Sequence, residues 1–182
     1  MKKIVIAISG LPGSGSTTIA KEIAKRFNLD YYSPGEVFKG YSKKNQSEAA
    51  LEVWNLFGKE KKFHEKNFDI KQIEKAKKGN VVICGKLSIF MLKGMADYKI
   101  WIESDLKTRA ERTAERDGIP FEKAFEQIKE REKIEMESWK KIYGIDYTEQ
   151  KKDADLVVEN SRLAVDESVN RILAFIKTRK GK

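Results

Sequence analysis

The 182-residue chain contains one cysteine, Cys84, and one histidine, His64. A lone thiol excludes an internal disulfide framework, and the two counts together exclude a multi-cysteine or multi-histidine metal site. No apolar stretch approaches the roughly 20 residues needed to span a bilayer. The opening "MKKIVIAISG" has the charge of a signal peptide, but its apolar run is too short and leads into a glycine turn. A cytoplasmic protein without membrane partners is expected. Internal repeats and low-complexity linkers are also missing, so one domain spanning 1–182 is the expectation.

Charge is what the chain has in excess. Charged residues make up 36%, with 37 Lys and Arg against 28 Asp and Glu, for a formal net charge of +9. That balance favours polyanionic ligands such as nucleotides, polyphosphate or nucleic acid. It is equally the habit of a Lys/Glu-rich surface kept for solubility or heat tolerance. Nucleic acid is not the expected partner, because the positive runs are interspersed with acids and no nucleic-acid module is visible.

Strand and helix signals alternate. An apolar run at 3–8 reads as a strand buried on both faces, and a helix follows over about 17–27 with Ile19, Ile23 and Phe27 on one side. "DYYS" is a short second strand. "SPGEVF" starts a helix, with Ser33 as cap, Pro34 in the first turn and Glu36 three residues after the cap. Residues 42–78 are polar and helical. "GNVVICG" and "YKIWIES" are strands, followed by helices over about 105–117 and 121–143. The second of these is apolar at Phe121, Phe125, Ile128, Trp139 and Ile142. "ADLVVEN" is the last strand, and a helix over 162–178 closes the chain. This order implies an α/β fold with a five-stranded, mainly parallel sheet. Ligands of such sheets bind beyond the carboxyl ends of the strands, where the glycine turn, "CGK" and "ESD" converge.

The glycine turn is "GLPGSGSTT", residues 10–18. It matches the phosphate-cradling pattern G-x-x-x-x-G-K-[ST] at Gly10, Gly15 and Thr17, with Ser16 in the lysine position. Glycine is needed where backbone N–H groups turn inward onto phosphate oxygens. A helix N-terminus adds about half a positive charge. Thr17 can offer its hydroxyl to Mg2+ and Thr18 can contact a phosphate, neither of which requires the lysine. The competing reading is a tight turn without ligand. Arg109, Arg112 and Arg116 recur at helical spacing on one face, which is either a solvated basic surface or a phosphate-facing row. His64 reads as a surface residue. Trp54 and Trp139 read as packing residues rather than base-stacking ones, and Asp105 as a helix cap rather than a metal anchor.

The segments "ISGLPGSGSTTIAKEIAKRF", "SPGEVF", "GNVVICGKL", "KIWIESDLKTRAERTAERDG" and "YGID…ADLVVEN" stand in the order and spacing of archaeal-type cytidylate kinases, which the chain resembles over roughly 1–160. The resemblance implies the nucleoside-monophosphate-kinase variety of the P-loop NTPase fold, ATP-dependent phosphorylation of CMP or dCMP, and Mg2+. It implies a core of 1–33, 79–108 and 142–182, a monophosphate-binding arm at about 34–78, and a lid with a long helix at about 109–141. By the same resemblance Gly10, Leu11, Pro12, Gly13, Ser14, Gly15, Ser16, Thr17 and Thr18 hold the ATP phosphates, with Thr17 toward the metal. Ser33, Lys39 and Lys86 contact the acceptor nucleotide. Arg109, Arg112 and Arg116, with Arg131, serve the transferring phosphoryl group, and one of the lid trio could supply the cation that Ser16 does not. The protein is expected to be a monomer that binds small nucleotides.

Five departures from that family fall in its charge apparatus. Ser16 replaces the lysine, although some members carry threonine there. Lys39 and Lys86 replace arginines, keeping charge but losing the planar fork. Cys84 stands where an acidic residue is usual, and "EMESW", with Glu135 and Glu137, where arginines are usual. A nucleotide-binding relative weakened in catalysis, or a kinase of different base specificity, is therefore a second reading of the same resemblance.

Overall fold

Strand β1, Val5–Gly10, lies at the centre of a sheet in which every pairing is parallel. Its partners are β2 (Asp30–Tyr32), β3 (Val81–Cys84), β4 (Tyr98–Glu103) and β5 (Leu156–Glu159), in the order β2-β3-β1-β4-β5. The computed structural model describes residues 3–56 and 60–180. The expected arm at 34–78 includes 57–59, which lie outside the described residues, as do 1–2 and 181–182 at the expected core's ends.

Alternation along β1 explains why it is apolar throughout. Val5 and Ala7 face one core with Val81, Ile83 and Trp101, while Ile6 and Ile8 face the other with Val82, Ile100 and Ile102. Helices α1 (Ser16–Phe27) and α9 (Val165–Lys180) cover the second face through Ile19, Ile23, Ile172 and Ile176. A strand covered on both sides has no polar face to show.

The first strand starts and ends two residues later than its apolar run suggests. Pairing with β3 begins only at Val5, opposite Val81. Beyond the end of β3, Ser9 and Gly10 still pair with Trp101 and Ile102 of β4. Small, turn-type residues thus continue a strand because a neighbour holds them. The closing helix likewise runs Val165–Lys180 rather than 162–178.

The other face carries the arm: α2 (Pro34–Lys39), α3 (Gln46–Leu56), α4 (Lys61–His64), a π-helical turn at Glu65–Asp69 and α5 (Ile70–Lys78). Ser33 caps α2 as read, its hydroxyl accepting from the Glu36 amide at 3.2 Å. His64, read as a surface residue, is instead 2% exposed. It lies among Phe38, Trp54, Phe63, Phe68 and Trp139, with ring centroids 4.8–5.9 Å away. Its charged neighbours Lys61 and Lys62 are exposed.

Two elements had no clear signal: α6 (Ser88–Met91) and a 3-10 segment at Tyr147–Asp153. Gln150 ties them together, accepting from the Phe90 amide and donating to the Lys86 carbonyl. Helices α7 (Leu106–Asp117) and α8 (Phe121–Tyr143) follow β4. Asp105 caps α7 by accepting from the Thr108 amide at 2.7 Å. Ala124 and Ile128 take the buried positions in the first half of α8, leaving Phe121 and Phe125 half-buried with their rings tilted against each other.

Gly10 has no room for a side chain. An added Cβ would stand 2.3 Å from the Ile102 carbonyl oxygen, a backbone atom that cannot rotate away. Gly10→Ala is expected to lower unfolding stability by about 1–3 kcal/mol, the cost of overpacking, read by urea denaturation.

Candidate functional site

Residues 10–15 run from β1 to α1, and three of their carbonyls are held by side-chain donors. The Gly10 carbonyl accepts from Lys86 Nζ at 2.6 Å. The Pro12 carbonyl accepts from Arg109 at 3.1 Å. The Ser14 carbonyl accepts from Asn160 Nδ2 at 3.0 Å and from Arg112 at 3.5 Å. Gly13 and Gly15 have φ of 77° and 81°, left-handed values that favour glycine. At Gly13 a Cβ would also meet the Arg109 carbonyl at 3.0 Å. Beyond Gly15, the first-turn amides of Ser16, Thr17 and Thr18 have no intrahelical carbonyl to serve. They are available to an anion at the helix N-terminus.

This loop floors a cavity of about 790 Å³ at the carboxyl ends of the strands. Of the expected site residues, all of 10–18 except Ser14 line it, together with Ser33, Lys39, Lys86, Arg112, Arg116 and Arg131. Ser14 is fully buried beneath the loop. Arg109 is 5% exposed and outside the lining; it donates to the Ser104 and Pro12 carbonyls and pairs with Glu132 at 2.6 Å. The same-face spacing of the three arginines therefore separates in space. Arg109 holds the loop. Arg112 binds Asn160 and Ser104 at the cavity wall. Arg116 reaches Ser47 of the arm at 2.7 Å.

The lining contains seven Lys or Arg side chains against three carboxylates. Burial, with repulsion from Arg131 and Arg116, lowers the Lys39 ammonium to about 8. Burial lowers Lys86 to about 7, opposed by Glu135 and assisted by Arg131 and Arg109. Glu135 is buried and pairs with Arg131 at 2.7 Å and Lys86 at 3.6 Å. Burial alone would raise its carboxyl, but the two cations outweigh it and hold it below the ordinary value. Glu137, by contrast, is exposed. The departures at 86 and 135 thus form one ion-paired unit.

Cys84 is buried at the end of β3, and burial pushes its thiol up to about 11, with the Ser16 and Thr17 hydroxyls acting in the opposite direction. Thr17 lines the cavity at the first turn of α1, where its hydroxyl could reach a divalent cation. Among the described residues no group of three His, Cys, Asp or Glu side chains could hold a metal. A Mg2+ there would take its remaining ligands from phosphate oxygens and water, the usual habit of that ion.

Asn160 was missed by sequence reasoning, and so were Lys21, Glu36 and Gln46, which also line the cavity. Asn160 directly follows β5 and meets Ser14, 146 residues away in sequence. Its place just beyond a strand's carboxyl end was the signal available.

A sequence profile described as the cytidylate kinase-like family matches residues 5–162. Cytidylate kinase of Pyrococcus horikoshii is 39% identical over 160 residues, 88% of this chain and 81% of its own length. Cytidylate kinase of Methanopyrus kandleri is 35% identical over 182 residues, covering 95% and 93% of the two chains. Among solved structures, a shikimate kinase of Bacteroides thetaiotaomicron superposes with a TM-score of 0.62 at 16% identity, covering 97% of this chain and 99% of that one. An uncharacterized protein of Eubacterium ventriosum gives 0.66 at 22% identity, covering 96% and 99%. At such identities the structural likeness speaks for the fold alone.

Removing the guanidinium at 109 strips a buried partner from Glu132 and a donor from two carbonyls. Arg109→Ala is expected to cost about 3 kcal/mol of stability, in the range for a broken buried pair. Equilibrium urea unfolding checks it; a loss under 0.5 kcal/mol would contradict the loop-holding role.

Proposed function

The chain belongs to the cytidylate kinase-like family, and from that premise we propose that it transfers the terminal phosphoryl group of ATP to CMP or dCMP. The observation that carries this reading is the crowding of Lys39, Lys86, Arg116 and Arg131 beside an amide-lined loop. Burial and mutual repulsion weaken the two lysine charges, and an incoming phosphate would relieve both effects. Two anion stations therefore adjoin. The loop and the N-terminus of α1 take the ATP phosphates, and Lys86, Lys39 and Arg131 take the acceptor phosphate. Lys86 stands between them, its Nζ already against the Gly10 carbonyl.

The chemistry asks little of the protein beyond placement and charge. An oxygen of the acceptor phosphate attacks the terminal phosphorus in line. The new O–P bond forms as the bond to the bridging oxygen breaks, and ADP leaves with that electron pair. Arg112 and Arg116, which line the cavity from α7, would face charge that develops on the transferring group. Thr17 would hold Mg2+, which when bound screens the phosphate charges. Ser33 would contact the acceptor. Arg109 acts through the loop rather than on substrate. On this reading the protein is a cytoplasmic monomer; no helix among the described residues is long and apolar enough to cross a membrane.

A coupled ADP-release assay across CMP, dCMP, UMP, AMP and GMP is expected to show turnover that depends on CMP or dCMP. Rates equal to the acceptor-free blank for all five would overturn the reading. The pH dependence gives a second check. With Lys86 lowered to about 7, its ammonium is present below that pH and lost above it. The KM for the acceptor is expected to rise on the order of tenfold between pH 7 and 8.5. Lys86→Arg, charged throughout, is expected to flatten that rise.

A further inference from the structure

The main cavity does not end at its cations. Gly35, Gly85, Lys86 and Arg131 also line the mouth of a narrower slot between the arm and the sheet, about 60 Å³ in volume. A water-sized sphere needs about 10–15 Å³ on this measure, so the slot holds on the order of five. That is the scale of one planar six-membered ring. Its walls suit such a ring: Phe38, Trp54, Phe68 and Trp139 line it and are each at most 8% exposed.

Besides His64, the hydrogen-bonding side chains that line this slot from the arm are Asp69 and Gln72. Asp69 ends the π-helical turn, and Gln72 stands in the first turn of α5. The wider turn shifts the register of the residues around it, a device that recurs at functional sites. Both side chains are held in orientation. The Tyr143 hydroxyl donates to Asp69. Gln72 Oε1 accepts from Ser88 at 3.3 Å, and its amide lies close enough to favour the Asp69 carboxylate. With the Gln72 oxygen taken by Ser88, its NH2 group is the part left to donate. Trp139 adds an indole N–H that is buried and has no hydrogen-bond partner. The other carboxylate on the slot, Glu135, is committed to Arg131 and Lys86.

The slot therefore sets a carboxylate acceptor beside N–H donors, with cations at its mouth for a phosphate. The complementary edge is an exocyclic amine next to a ring nitrogen acceptor and a carbonyl. Cytosine has that edge: N4–H donates, N3 and O2 accept. Uracil reverses the first two, turning O4 toward the carboxylate and N3–H toward a donor. Resting on the phosphoryl-transfer reading above, we infer that Asp69 and Gln72 are the specificity-determining residues that admit cytosine and reject uracil. A polar site mismatched in this way discriminates strongly, because its buried groups are left unpaired.

The test measures kcat/KM for CMP and UMP in wild type, Asp69→Asn and Gln72→Met, with calorimetric titration of each monophosphate in the absence of ATP. Wild type is expected to favour CMP over UMP by at least about 100-fold in both readouts. An asparagine can present either oxygen or NH2, so Asp69→Asn is expected to bring the ratio within about tenfold, largely by gain with UMP. Gln72→Met, close in volume, is expected to shrink the ratio in the same direction. Melting curves with ATP establish that each variant is folded. If Asp69→Asn does not fold, Gln72→Met decides. A wild type that binds and uses both monophosphates equally, or folded variants that keep the wild-type ratio, would overturn the inference while leaving phosphoryl transfer intact. Turnover absent for every acceptor but a calorimetric preference for CMP lost in the variants would do the reverse.

Discussion

The close approach of one stretch of backbone to its neighbours governs this molecule. Gly10 lies against the Ile102 carbonyl of β4 with no space for a Cβ, and Gly13 lies against the Arg109 carbonyl of α7. A chain held that closely cannot choose freely where its carbonyls point. Lys86, Arg109 and Asn160, from three separate elements, each take one of them. Beside them Ser16, Thr17 and Thr18 of the first turn of α1 line the cavity. On the proposed reading, the affinity of the loop for an anion is a consequence of packing at the carboxyl end of the sheet.

The same geometry creates an electrostatic problem that two acidic residues resolve. Bringing Lys86, Arg109 and Arg131 to one rim of a buried crevice places like charges where water screens them poorly. Glu132 and Glu135 on α8 each pair with one or two of these cations. Glutamates near a phosphate site look contradictory in a one-dimensional sequence. In three dimensions they hold the cations in place. The cost is a pair of partly neutralised lysines. The proposed acceptor phosphate offsets it by restoring their charge.

Local signals carried much of this architecture. The apolar runs of β1, β3 and β4, the Ser33 and Asp105 caps and the glycine spacing of the loop are written within a few residues each, because short-range geometry determines them. Readings that depended on distant partners fared worse. Arg109, Arg112 and Arg116 share a helical face, yet the loop passes over one end of that face and the arm over the other, so their surroundings diverge. Asn160 has no local pattern at all; its role depends on Ser14 arriving from the far end of the chain. His64 sits in a charged stretch and is nonetheless buried, since one turn of helix can face an aromatic cluster while its flanks face water. The strand's extension through Ser9 and Gly10 likewise reflects β4, which a propensity for turns cannot anticipate.

The absence of a lysine at position 16 then has a structural meaning. Ser16 offers a hydroxyl beside Cys84, and the loop itself contributes no mobile cation. On the proposed reading, the cations that face the transferring phosphoryl group come from α7, α8 and the segments after β2 and β3. The arm and α8 share an apolar core through Trp54 and Trp139, but the arm meets α7 through polar contacts. Arg116 and Asp117 bond Ser47, and Lys123 pairs with Glu48 at 2.9 Å. A fixed loop lysine would supply its charge whether or not the arm and α7 are docked. Here, on the proposed reading, charge stabilisation depends on that docking.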